Sequence, residues 1–295
     1  MQKLYTPEGE ALRGQPWPEY PRPFLERDSF YNLNGEWEFA AQGAAEMPAA
    51  FPMRIQVPFA PESILSGVER HFARQWLFYR KTFALPQGFV RRRTFLHFGA
   101  VDQIAEVFLN GVRLGGHTGG YAPFSFEATD ALREENTLVV RVRDELENHI
   151  LPYGKQREKR GGMWYTPVSG IWQTVWLESM GEKFIRELNV ETGSDFASID
   201  TGDETLSGTV SVETPQGTLR VPLENGRARV ALEAPRFWSP DAPYLYRFTV
   251  ETAEDCVRSY FALRTLETRV VGGVPRLCLN GRPYFFNGLL DQGYW

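Results

Sequence analysis

The sequence predicts an all-β protein, and three observations carry that prediction. Five Asn-Gly dipeptides, at Asn34-Gly35, Asn110-Gly111, Asn225-Gly226, Asn280-Gly281 and Asn287-Gly288, stand between or beside runs of alternating apolar and polar residues. Asn and Gly both tolerate the positive φ of a two-residue type I′ turn, whose twist matches the strands it joins. Segments of period two recur along the chain, and no helical pattern of comparable length competes with them.

The elements follow in order. Trp37 and Phe39 alternate with Glu36 and Glu38, and Trp76, Phe78 and Arg80 alternate with Leu77, Tyr79 and Lys81. Ala105 to Leu109, Asn110-Gly111 and Val112 to Leu114 read as a complete hairpin. Leu138, Val140 and Val142 then alternate with Val139, Arg141 and Arg143. Gly170 to Glu178 carries large side chains on both faces, as a strand covered on both sides would. Ser179 to Glu182 reads as a hinge. After Lys183 the strands shorten, through Leu206–Thr214, Gly226–Glu233, Tyr244–Thr252 and Cys256–Leu263, and suit a small immunoglobulin-like sandwich. A third piece begins near Val270 with a hairpin through Asn280-Gly281 into the apolar run Tyr284 to Leu290.

Composition narrows the function classes. Hydrophobic residues make up 42% and aromatics 14%, enough to form cores, while no apolar run approaches the roughly 18 residues of a membrane span. No membrane role is expected. Residues Met1 to Pro7 contain no apolar h-region of a signal peptide, so a cytoplasmic location is expected. The net charge of −5 disfavours polyanionic partners, and the run Lys155, Arg157, Lys159, Arg160 reads as a solvated loop with no nucleic acid. Cys256 and Cys278 read as buried thiols, and His71, His97, His117 and His149 show no metal-ligand spacing. Neither a metal nor another cofactor is assigned.

Two stretches invite chemistry. Gly115-Gly116-His117-Thr118-Gly119-Gly120 is glycine-rich but lacks the Lys and Ser/Thr of a P-loop, and reads as a loop. Asp144 to Ser169 is aperiodic and holds Pro152, Gly154, Gly161, Gly162 and Pro167; connections this long are uncommon and often functional. Trp164 and Tyr165 within it suit a sugar, whose C–H faces stack on rings, although they could equally pin the loop to the sandwich. Of the acidic group Asp144, Glu145 and Glu147, the two glutamates read as a solvated edge.

Five motifs in order resemble glycoside hydrolase family 2, which includes β-galactosidases, β-glucuronidases and β-mannosidases: Asn32 to Trp37, Phe108 to Gly111, Gly170 to Leu177, Phe237 to Tyr246 and Leu279 to Pro283. The resemblance implies a jelly-roll sugar-binding domain at 1–181, an immunoglobulin-like sandwich at 182–268, and at 269–295 the start of a truncated (β/α)₈ catalytic barrel. It also implies retaining hydrolysis by two carboxyl groups on later barrel strands, so no catalytic residue is assigned. A barrel needs about 200 residues or more to close. Asp144 is carried over as a sugar ligand, with Trp164 and Tyr165 beside it. The expected partners are a β-glycoside and the chain's own barrel. Two readings stand: the sugar-binding, scaffolding portion of a family 2 glycosidase, and a self-sufficient carbohydrate-binding or interaction protein.

Overall fold

The computed structural model describes residues 5–146 and 150–290. Apart from the short helix α1 (Pro7–Ala11) and two 3₁₀ turns, its regular structure is strand throughout. The described residues contain no helix long and apolar enough to cross a membrane. The described residues divide into two compact units, the first formed by 5–21 and 29–179 and the second by 22–28 and 180–290.

The first unit is a two-sheet sandwich. Its strands are β1 (Phe30–Asn32), β2 (Gly35–Gln42), β3 (Met53–Val57), β4 (Trp76–Ala84), β5 (Arg93–Phe98), β6 (Val101–Asp102), β7 (Ile104–Leu109), β8 (Val112–Thr118), β9 (Phe124–Glu127), β10 (Glu135–Arg143), β11 (Gly170–Ile171) and β12 (Val175–Met180). One sheet runs β3-β2-β4-β10-β7-β8, the other β1-β12-β5-β9, and β6 pairs with β11 at the side. Trp37, Phe39, Tyr79, Val107 and Val140 from the larger sheet share one apolar core with Leu96, Phe98, Val175 and Leu177 from the smaller. The period-two pattern is realised here as inward and outward faces.

Three of the five Asn-Gly pairs are type I′ turns. Asn110 and Gly111 have φ of 53° and 81°, Asn225 and Gly226 49° and 74°, Asn280 and Gly281 52° and 77°. Asn110 does more than tolerate the turn: its Nδ2 donates to Ala131 O at 2.8 Å and its Oδ1 accepts from Thr137 N at 2.8 Å. Asn34 is used differently. It holds the sandwich closed from one edge, accepting from Val175 N at 3.0 Å and donating to Thr174 Oγ1 at 3.2 Å. Asn287-Gly288 lies in residues 284–290, which form no strand.

Two sequence expectations are revised. Gly115, Gly116 and His117 belong to strand β8, not to a loop. A side chain at 115 is what the packing forbids, because a Cβ there would sit 2.2 Å from the Phe126 ring. The run Gly170 to Glu178 is two strands with a break at Trp172 to Thr174. Gly170 has φ of +77° and a Cβ on it would lie 1.9 Å from Tyr79 Oη. Replacement by alanine therefore combines a left-handed backbone with overpacking, and Gly170→Ala is expected to cost about 2–4 kcal/mol. A urea unfolding midpoint equal to that of the wild type would count against this account.

The second unit contains a seven-stranded immunoglobulin-like sandwich: β13 (Asn189–Thr192), β14 (Phe196–Asp200), β15 (Gly208–Thr214), β16 (Gly217–Leu223), β17 (Arg227–Ala231), β18 (Tyr246–Thr252) and β19 (Cys256–Phe261). The sheets are β13-β14-β17 and β16-β15-β18-β19, and the Asn225-Gly226 turn carries the chain from one to the other. Val210, Val212, Val230, Phe248, Val250 and Phe261 fill the space between them. Cys278 is buried as expected, but Cys256 is exposed, because alternation along β19 turns Val257, Ser259 and Phe261 inward. A third sheet follows, β20 (Leu266–Val271), β21 (Val274–Leu279) and β22 (Arg282–Pro283), in that order.

Candidate functional site

Strand β10 ends at Arg143 and delivers Asp144 to the wall of a cavity of about 360 Å³, shared with His71, Arg74, Gln75, Glu158 and Ser169. Asp144 Oδ1 accepts from Leu146 N at 2.7 Å, a local turn that holds the carboxyl at the strand end. Burial raises its pKa from 3.8 to about 6. The negative charges of Glu62 and Glu145 push the same way, while the Leu146 N–H and His71 oppose them. Of the two glutamates expected at a solvated edge, Glu145 is exposed and lies 3.3 Å from Arg143 Nε. Glu147, like His149, lies outside the described residues.

Glu62 is held behind Asp144 by three donors or ring contacts. Ser169 Oγ donates at 2.7 Å, Ser169 N at 3.2 Å, and His71 Nδ1 lies at 3.0 Å. The contact with Glu62 raises the pKa of His71, against the lowering effect of burial. A third carboxyl, Asp102, ends β6 and is only 3% exposed. Burial lifts it from 3.8 to about 8, and the charges of Asp144 and Glu62 add to the rise, with a hydrogen bond from Gln156 opposing it. Asp102 Oδ1 has no hydrogen-bond partner, nor do the side-chain amide atoms of the neighbouring Gln103. Gly120 makes room for this carboxyl, since a Cβ there would meet Asp102 Cγ at 2.6 Å.

The family resemblance pointed to Asp144, at its place after a strand, and sequence reasoning missed Glu62, His71, Asp102 and Gln156. None of the four carries a local signal, and they meet only when β6 pairs with β11 at Asp102↔Gly170 and the loop 144–169 that precedes β11 folds back. Trp164 and Tyr165 fall elsewhere. Their loop is not featureless: Arg157 N donates to Tyr165 O at 3.2 Å, Tyr165 N to Lys155 O at 2.7 Å, and Gly161 and Trp164 exchange bonds at 3.1 Å. The result is a compact loop, closed by a parallel bridge at Gln156 and Tyr165 and a tight turn at Gly161 to Trp164; its Glu158 lines the Asp144 cavity, whereas neither aromatic is part of that wall. Among the described residues no group of three or more His, Cys, Asp or Glu side chains is disposed to hold a metal ion.

The sequences of both units match known families. Residues 37–201 fit the glycosyl hydrolase 2 galactose-binding domain-like family, and residues 187–264 fit glycosyl hydrolases family 2. The chain belongs to glycosyl hydrolase family 2. A β-glucuronidase of Formosa agariphila is 35% identical over 114 residues, which cover 36% of this chain and 11% of that protein. A β-galactosidase of Arthrobacter sp. is 26% identical over 266 residues, covering 86% of this chain and 24% of its relative. Among solved structures, the Faecalibacterium prausnitzii β-glucuronidase superposes with a TM-score of 0.70 at 23% identity, over 92% of this chain and 51% of that one. The chain thus spans about half the length of this structural relative, and between a tenth and a quarter of these two curated relatives. Family membership places the jelly-roll and immunoglobulin-like sandwiches described above in the N-terminal region of glycosidases.

Proposed function

We propose that this chain is the sugar-binding, scaffolding front of a retaining β-glycosidase, working with a (β/α)₈ barrel that carries the two catalytic carboxyl groups and itself supplying none of them. In this reading residues 1–181 are the jelly-roll domain, 182–268 the immunoglobulin-like domain and 269–295 the beginning of the barrel. The observation that carries the proposal is the placement of Asp144: a carboxyl at a strand end, on the wall of a cavity large enough for a sugar ring, in a family 2 sandwich. Ionised, it accepts hydrogen bonds from two sugar hydroxyls, fixing the ring so that binding energy orients the scissile bond.

Support comes also from the surface of 266–290. Leu266, Val270 and Leu277 on the third sheet are exposed, and Phe285 and Leu289 beyond it are 86% and 99% exposed. Exposed large apolar side chains concentrated in one segment suit a site of protein contact, and the barrel is the partner proposed for it. The structure of Bifidobacterium dentium β-glucuronidase, which covers 93% of this chain with a TM-score of 0.68, contains coumarin-3-O-glucuronide. A β-glycoside of that general kind is the substrate class proposed here.

Two measurements test the proposal. The 295-residue chain alone is expected to turn over none of nitrophenyl β-galactoside, β-glucuronide or β-mannoside once circular dichroism has established its β structure; turnover that survives repurification overturns it. In the parent enzyme, Asp144→Ala removes a charged hydrogen bond worth roughly 1.5–3 kcal/mol, so kcat/KM is expected to fall about ten- to a hundredfold. An unchanged kcat/KM together with an unchanged melting temperature would reduce Asp144 to a solvated strand end.

A further inference from the structure

His71 lies in the connection between the 3₁₀ turn Ile64–Ser66 and β4, and the backbone on either side of it is fixed. Arg70 N donates to Pro61 O at 2.9 Å, and Gln75 N donates to Phe72 O at 3.2 Å. Phe72, 7% exposed, inserts into the sandwich core beside Phe39, with ring centroids 5.6 Å apart. The fold thus holds the chain around His71, and Glu62 holds the ring.

Glu62 acts here as an acceptor throughout. Its Oε1 takes the Ser169 Oγ hydrogen bond at 2.7 Å and lies 3.0 Å from His71 Nδ1, and its Oε2 accepts from Ser169 N at 3.2 Å. With its side chain only 5% exposed, this carboxylate fixes an imidazole proton on Nδ1. That leaves Nε2 to the cavity's occupant, as a lone pair in the neutral ring and as an N–H in the imidazolium. Among the described residues Nε2 is buried and has no hydrogen-bond partner, yet the ring shares a cavity wall with Asp144. A buried polar atom without a partner is costly until a ligand completes it. Glu62 most strongly, then Asp144 and Glu158, favour the charged ring, and burial opposes them. Arg74, Arg143 and Glu145 are the other charged groups on that wall.

We propose that His71 is a second sugar ligand of the Asp144 cavity, its Nε2 bonding a ring hydroxyl, with Glu62 as the residue that positions the imidazole. The inference rests on the sugar-binding reading of that cavity. Ionised Asp144 can only accept, whereas the imidazolium can only donate, and a hydroxyl-bearing ring satisfies both because each hydroxyl does either. The charged N–H gives the stronger bond; the neutral ring accepts a hydroxyl proton more weakly.

The test is steady-state kinetics of the parent enzyme, from pH 5 to 9, on whichever of nitrophenyl β-galactoside, β-glucuronide and β-mannoside it turns over best. His71→Asn keeps an amide N–H for Glu62 and deletes Nε2. The ratio of wild-type to variant kcat/KM cancels the barrel's own ionisations. It is expected to be about ten- to a hundredfold while the imidazole is charged, and to fall below about tenfold as pH climbs through the folded pKa of His71. In a Glu62→Gln background the fall is expected at lower pH, and His71→Gln, whose amide reaches the Nε2 position, is expected to recover part of the loss. In long-range ¹H–¹⁵N spectra of this chain the neutral His71 ring is expected to carry its proton on Nδ1. A ratio near one, a ratio independent of pH, or a neutral ring protonated on Nε2 overturns the assignment and leaves His71 as a pin for its loop. Failure of the cavity reading is seen separately, as Asp144→Ala with unchanged kcat/KM, and a parent enzyme that hydrolyses none of the three glycosides overturns both.

Discussion

Replacing Arg27 by methionine will destabilise the second unit by about 3–5 kcal/mol, the usual cost of leaving one member of a buried ion pair without its partner. Arg27 and Asp255 are 3% and 1% exposed at their side chains, with Arg27 Nη2 2.8 Å from Asp255 Oδ2 and Nε 3.0 Å from Oδ1. Asp255 accepts in addition from Ile185 N at 2.9 Å and Cys256 N at 3.0 Å. One carboxylate thus joins the early segment 22–28 to the start of the sandwich and to strand β19. Methionine matches the length of the apolar stem but removes the countercharge, so the penalty is the desolvated charge of Asp255 and not a cavity. Guanidinium unfolding with hydrogen exchange read at the β18 and β19 amides measures the effect. Arg27→Met combined with Asp255→Asn should recover part of the loss, because the charge is gone while one amide oxygen still accepts; an unchanged midpoint in the single variant would mean the pair contributes no net coupling.

The second large effect is a pH dependence. The carboxyl of Asp102 goes from 3.8 to about 8 on folding, so between those values the folded state holds a proton that the unfolded state has released. The contribution of Asp102 to stability is then greatest below about pH 4, falls as pH rises toward 8, and levels off above it. Asp144, raised to about 6, adds a loss of the same sign between pH 4 and 6. His71, raised by Glu62, contributes stability that disappears as pH climbs through its folded value. Asp102→Asn keeps the shape and removes the ionisation. The variant is expected to match the wild type at pH 4 and to exceed it by on the order of 3–5 kcal/mol at pH 9. Melting temperatures of both proteins from pH 4 to 9 decide the matter: parallel profiles would show that Asp102 ionises in the fold without penalty.

How far a feature could be read from the sequence tracked how local its cause was. The Asn110-Gly111 hairpin was legible because two residues with positive φ and their flanking alternation contain the whole reason for it. Asn34-Gly35 looks identical in sequence, yet Asn34 serves as a clamp on Val175, a partner 141 positions away. Gly115 and Gly116 suggested a loop and form a strand, because the ring that excludes a side chain at 115 belongs to Phe126 on another strand. Cys256 looked like a core residue until the register of β19 showed which neighbours point inward.

The candidate site divides the same way. Asp144 could be picked through the family resemblance, which places an aspartate after this strand, and Trp164 and Tyr165 from the composition of the aperiodic loop. Turns, alternation and family motifs are short-range patterns, so the sequence by itself determined an all-β chain, two sandwiches and glycosidase family 2 kinship. Only the tertiary structure decided that Glu62, Asp102 and Asp144 share one neighbourhood, that the aromatics sit with Arg157 and off the Asp144 wall, and that two of the carboxyls hold protons more tightly than in water. The reason is that desolvation and charge coupling depend on which surfaces exclude water from one another, and strand pairing sets those surfaces across separations that no local pattern records.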